Sequence, residues 1–133
     1  VAKQAADLHT NAFSQRVIYE YLNRNNIDEH IALINRAYKR QRDAMVASIE
    51  KYLPDSIHST KPEGGMFLWL TLPEGMSSMD LFNAAIQENV AFVPGFPFYV
   101  DGGGDNSLRL NYSNVDESTV EEGIRRLAKV IRI

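Results

Sequence analysis

The residue in this chain best suited to chemistry is Arg109, in the run Ser107-Leu108-Arg109-Leu110-Asn111-Tyr112. The alternation places Leu108, Leu110 and Tyr112 on one side of a strand and turns Arg109 and Asn111 to the other. A guanidinium in that position offers a planar pair of donors to a carboxylate. The same spacing also serves a cross-strand or surface ion pair, and spacing alone favours that plainer role. Gly64-Gly65 stands directly before an apolar run and reads as a turn before a strand. Phe98 reads as a core aromatic.

Other chemistries find little support. The chain has no cysteine, so it has neither a disulfide framework nor a thiolate nucleophile, which fits a reducing, cytoplasmic setting. His9, His30 and His58 are far apart and lack the carboxylate pattern of a metal site. Gly102-Gly103-Gly104 is not followed by the Lys-Ser/Thr of a phosphate loop and reads as a flexible turn, the place where the domain is expected to move. Lys3, Lys39, Lys51, Lys61 and Lys129 read as solvated surface charges, and Glu121 and Glu122 as partners of a helix dipole. Arg42 and Asp43, adjacent on a helix, are expected to point apart. A net charge of −3 argues against nucleic acid, and no apolar run approaches membrane-spanning length. The opening Val1-Ala2-Lys3 has neither an initiator methionine nor a signal-peptide pattern and reads as a cut from a longer chain.

The elements that would position these residues follow from periodicity. Phe13, Val17 and Tyr21 predict a helix over 12–22, with Thr10 or Asn11 as its cap. Ile31, Ile34, Tyr38, Met45, Ile49 and Leu53 form one stripe of a long helix over 29–52, with Asp28 as cap and Pro54 as stop. Residues 57–63 are polar, and Met66 to Leu72 predicts a central strand. Ser77 caps a short helix that buries Leu81, Phe82, Ala85 and Ile86. Val90 to Val93 predicts a second brief strand, Ser107 to Tyr112 a third. Asp116 and Glu117 start a last helix burying Val120, Ile124, Leu127 and Ile131. The expected fold class is α+β, one domain in which a small, mainly antiparallel sheet is covered by helices.

Three segments, taken together, resemble the C-terminal third of the class I/II, fold-type I aminotransferases: Lys61-Pro62-Glu63-Gly64-Gly65-Met66-Phe67-Leu68-Trp69, Val93-Pro94-Gly95 with Phe98, and Ser107 to Tyr112. Gln4 to Thr10 is similar to the interdomain helix of the branch handling 2-aminoadipate, kynurenine and aromatic amino acids, and Tyr38 to Asp43 also resembles the family. The resemblance implies that 1–133 is the small domain, with 1–22 as an interdomain helical segment and the large domain absent. It implies that Arg109 binds the substrate α-carboxylate, with Gly65 and Phe98 as possible pocket residues. It further implies pyridoxal 5'-phosphate (PLP), amino-acid and 2-oxo-acid substrates and a homodimer for the full-length protein. The Schiff-base lysine lies upstream in that family, so no catalytic residue and no bound cofactor are expected in this piece, which should be inactive alone. Two other readings remain: the effector part of an aminotransferase-like transcription regulator, and a free-standing ligand-binding module. Lyases and decarboxylases on the same scaffold are also open, because fold does not fix reaction.

Overall fold

A computed structural model describes residues 2–131. The chain divides into two compact units, residues 1–35 and 36–133.

In the first unit, helix α1 (Ala2–Ala6) is followed by α2 (Ala12–Arg24) and the opening turns of α3 (Ile27–Tyr52). Asn11 caps α2 through its side-chain oxygen, which accepts from the Ser14 N–H at 3.0 Å. The cap of α3 is Asn26, not the expected Asp28: its Oδ1 accepts from the amides of Asp28 and Glu29 at 3.1 and 3.3 Å. Because Asn26 reaches both free amides, the helix begins at Ile27, ahead of the predicted start. Neither α1 nor α2 buries a side chain; Leu8 and Phe13 are 75% and 77% exposed.

The second unit holds an antiparallel sheet in the order β1-β2-β4-β3, with β1 at His58–Ser59, β2 at Phe67–Thr71, β3 at Val93–Pro94 and β4 at Ser107–Asn111. β2 and β4 pair along their whole length, Leu68 opposite Leu110 and Leu70 opposite Leu108. Period-2 alternation buries these four leucines in one core with Met45, Ile49 and Leu53 from the end of α3, Leu81 and Ala85 from α4 (Ser78–Gln87), and Val120, Ile124 and Leu127 from α5 (Glu117–Val130). Ser77 and Asp116 cap α4 and α5 by accepting from the amides of Asp80 and Thr119. The α+β prediction therefore holds, with a small antiparallel sheet.

Four details depart from prediction. The stripe on α3 is buried only from Met45 onward, while Ile31 is 47% exposed. Ile86 also stays exposed, at 43%, because Leu81 and Ala85 already fill the inward side of α4. The second predicted strand shrinks to Val93–Pro94: the amides of Glu88 and Val90 both bond back to the Ala85 carbonyl and Asn89 adopts φ 59, so this stretch finishes α4 before the chain can extend. The short β1 lies in the stretch that looked merely polar. It is held by Thr60, whose hydroxyl accepts from the Trp69 amide at 2.9 Å.

Candidate functional site

The alternation that buries the leucines turns Phe67, Trp69, Arg109 and Asn111 to the opposite face of the sheet. Arg109 lies in the middle of it, register partner of Trp69 on β2 and of Val93 on β3. Its guanidinium carbon stands 4.0 Å from the ring centroid of Phe67 and 4.8 Å from that of Phe98. Trp69 meets the Phe98 ring edge-on at 5.5 Å. The rings are not sealed in: Phe67 is 37% and Phe98 46% exposed. Arg24, Arg40, Arg42, Arg125 and Arg126 each pair with a carboxylate. Among the described residues no such partner, and no side-chain hydrogen bond, engages Arg109, so none of them supplies the ion pair suggested by spacing alone.

A groove of about 370 Å³ has Arg109 as the one charged residue among those described along its walls, but Met45, Leu110, Val120 and Ile124 of its lining belong to the leucine-side core, and neither Trp69 nor Phe98 borders it.

The loop before β2 is fixed by donors from two other elements. Arg42 of α3 donates through one terminal nitrogen to the carbonyls of Pro62 and Glu63, at 3.3 and 2.9 Å. The Tyr112 hydroxyl, at the end of β4, donates to the Gly64 carbonyl at 3.2 Å. Three successive carbonyls are thus satisfied just ahead of Phe67. Burial pushes the Tyr112 phenol up, against the opposing influence of the Arg42 charge, so it keeps the proton it donates. Gly65 takes φ +87, a left-handed conformation that favours glycine, and a side chain there would meet nothing within 4 Å. This fits the turn reading of Gly64-Gly65. Contrary to expectation, Arg42 also pairs with its neighbour Asp43 at 2.6 Å. The Cβ directions diverge, but the long arginine bends back far enough to bridge them. Lys39 and Arg42, bonding the same carboxyl, hold Asp43 below the usual carboxylate range.

Phe98 closes the 3-10 turn Phe96–Phe98, and its exposure overturns the core reading: one side of the ring rests on Arg109 and Trp69, the other is open. The loop that follows is tied at both ends. The Gly95 amide donates to the Ser107 carbonyl at 2.7 Å, and the Ser107 hydroxyl donates to the Gly104 carbonyl at 2.8 Å. Gly104 has φ +74 and packs directly against the Tyr99 ring, which leaves no space for a Cβ. Tyr99 in turn stands 6.4 Å from Trp69. The triple glycine thus serves a closed turn, where the sequence suggested only freedom.

Lys39, Lys51, Lys61 and Lys129 carry solvent-exposed ammonium groups directed at Asp43, Glu121, Glu50 and Glu88, and Lys3 donates to the Thr10 hydroxyl. No group of three His, Asp or Glu residues among those described is placed to hold a metal ion. No described helix is long and apolar enough to cross a membrane.

An antiparallel sheet face thus carries Arg109, without a carboxylate partner among the described residues, beside the rings of Phe67 and Phe98. Residues 1–127 match the model of the aminotransferase class I and II family, and the chain belongs to that family. It is 42% identical over 131 residues to a 2-aminoadipate transaminase of Thermus thermophilus, covering 98% of this chain and 33% of that protein. It superposes on a multiple substrate aminotransferase of Thermococcus profundus with a TM-score of 0.88 and 45% identity, over 98% of this chain and 32% of the other. An HTH-type transcriptional regulator of Bacillus subtilis is more distant, 30% identical over 98% of this chain and 26% of its own length. The chain thus spans about a third of the length of the transaminases it matches.

Proposed function

We propose that this chain is the substrate-side domain of a PLP-dependent aminotransferase, in which Arg109 holds the α-carboxylate of the amino acid and then of the 2-oxo acid. The observation that carries this reading is a guanidinium that has no carboxylate partner among the described residues and stands over two exposed aromatic rings. Two parallel donors fix the carboxylate plane, and fixing that plane orients the Cα–H and amino group toward the reacting centre. Gly65 enters the proposal only as a possible pocket residue, on the loop ahead of Phe67.

PLP, when bound, supplies an electrophilic aldehyde and an electron sink for the amino group being moved. The residues of this chain do not fit such a cofactor. Each lysine carries its ammonium on the surface against a carboxylate or hydroxyl, and none adjoins Arg109. The cofactor and its lysine are therefore assigned to the large domain of the complete protein, and the isolated chain to an inactive state. Leu8, between α1 and α2, and Phe13, Val17 and Ile18 of α2 are all exposed, which supports a covering partner of that kind and suits the interdomain role of residues 1–22. A cytoplasmic homodimer, acting on an amino acid and a 2-oxo acid by a ping-pong course, completes the proposal. The identities favour a transaminase over a transcription regulator: 42% and 45% against 30%.

The test is Arg109→Ala in the complete protein. Loss of a charge-assisted pair to substrate should lower kcat/KM by about 2 kcal/mol or more, roughly thirty-fold. An unchanged kcat/KM removes Arg109 from the site. Titrating this chain alone with PLP, followed by borohydride reduction and mass measurement, should give no stoichiometric lysine adduct; finding one would place the cofactor here after all.

A further inference from the structure

We propose that Phe67 and Phe98 are positioning residues that hold the Arg109 guanidinium in its carboxylate-binding orientation, so that the site's affinity for every substrate carboxylate depends on two rings that need not touch the substrate. The inference rests on the carboxylate role of Arg109 proposed above. An arginine side chain on an open sheet face has many rotamers, and ordering it on binding costs free energy that weakens the complex. Here the guanidinium already stands over two rings, Phe67 at 4.0 Å and Phe98 at 4.8 Å. Stacking on a ring face leaves the in-plane N–H donors free, and those are the donors a carboxylate needs.

The two rings are themselves held from elsewhere. Phe67 follows the loop whose carbonyls are bonded by Arg42 and Tyr112. Phe98 sits at the end of a 3-10 turn, braced edge-on by Trp69. The Phe98 ring thus has a brace that owes nothing to Arg109, and the backbone leading into Phe67 is held by Arg42 and Tyr112.

Kinetics of the complete protein separate this role from a structural one and from a wall contacting the substrate side chain. Phe98→Leu keeps apolar volume and removes the ring. It should raise KM about ten-fold with kcat within about two-fold, because binding common to ground and transition states is lost. The rise should be the same for a donor with a small side chain and one with a large side chain, since only the carboxylate is shared. Phe98→Tyr, which keeps the ring, should restore KM, and Phe98→Leu should add nothing on top of Arg109→Ala. The Nε–Hε resonance of Arg109 should also move away from its ring-current-shifted position in Phe98→Leu and stay in Phe98→Tyr. Wild-type KM in Phe98→Leu, an effect confined to large side chains, or losses that add to those of Arg109→Ala would each overturn the proposal. A silent Arg109→Ala would instead overturn the carboxylate reading itself, and the positioning role with it, even where the resonance shows the stacking to be real.

Discussion

The ring of Tyr99 lies flat against the backbone of Gly104, in the space where any other residue would carry its Cβ. Replacing Gly104 by alanine must therefore displace the ring and also place a side chain at φ +74. Two independent penalties should lower stability by about 1–3 kcal/mol. Tyr99 neighbours Trp69, the only tryptophan, so the emission of that residue should shift in the same variant. Unchanged melting and unchanged emission would mean that the loop relaxes without cost.

Leu70 is completely buried, within the β2–β4 ladder opposite Leu108. Leu70→Ala should cost about 2–5 kcal/mol in denaturant unfolding, the usual range for a cavity in a packed core. A loss under about 1 kcal/mol, on the same scale, would show that the neighbouring leucines collapse into the space.

Ser78 presents the opposite case, a buried hydroxyl with no hydrogen-bond partner among the described residues. Its amide is well used, donating to the Asp105 carbonyl at 2.6 Å, but the side chain gains nothing for its desolvation. Ser78→Ala should be neutral or stabilising, by up to about 1 kcal/mol. A clearly lower melting temperature would contradict this.

Asp116 gives the fold a pH-dependent component. Its carboxylate accepts from the side chain and the amide of Thr119 and from the Ser118 hydroxyl, which hold it below the ordinary carboxylate value. The unfolded chain then binds the proton more tightly than the folded one, so stability is fully present above the unfolded pKa and is lost as pH falls through the folded one. Glu121, bonded by Lys51 and Tyr52, and Glu122, bonded by Arg126 and Arg125, act with the same sign. An asparagine in this position would still cap the helix without titrating, so Asp116→Asn should flatten the fall in urea midpoint below about pH 4. An equally steep acid limb in the variant would assign the pH dependence to the other carboxylates.

How much of this is legible in the sequence depends on the range of the interaction. The core of β4 and α5 is readable because period-2 and helical spacing are local, and the caps at Asn11, Ser77 and Asp116 are written in neighbouring residues. Arg109 is readable as an outward arginine, and its chemistry comes from resemblance. Phe67 is hidden inside a run that is apolar throughout. Only the antiparallel register, Phe67 against Asn111, puts it on the face of Arg109. Arg42 and Tyr112 lie 20 and 48 residues from the carbonyls they bond, and no short motif announces such a contact. Phe98 defeats a reading from sequence because an exposed aromatic and a core aromatic look alike until the fold is known.

The register of β2 against β4 has a meaning beyond stability. Sliding one strand by a single residue would swap its two faces, pressing Arg109 into the leucine layer and turning Leu108 and Leu110 out to water. A charge forced into hydrocarbon is among the costliest errors a chain can make. The residue proposed to recognise the substrate therefore also polices assembly, and a molecule that has folded at all has folded with its binding arm facing outward.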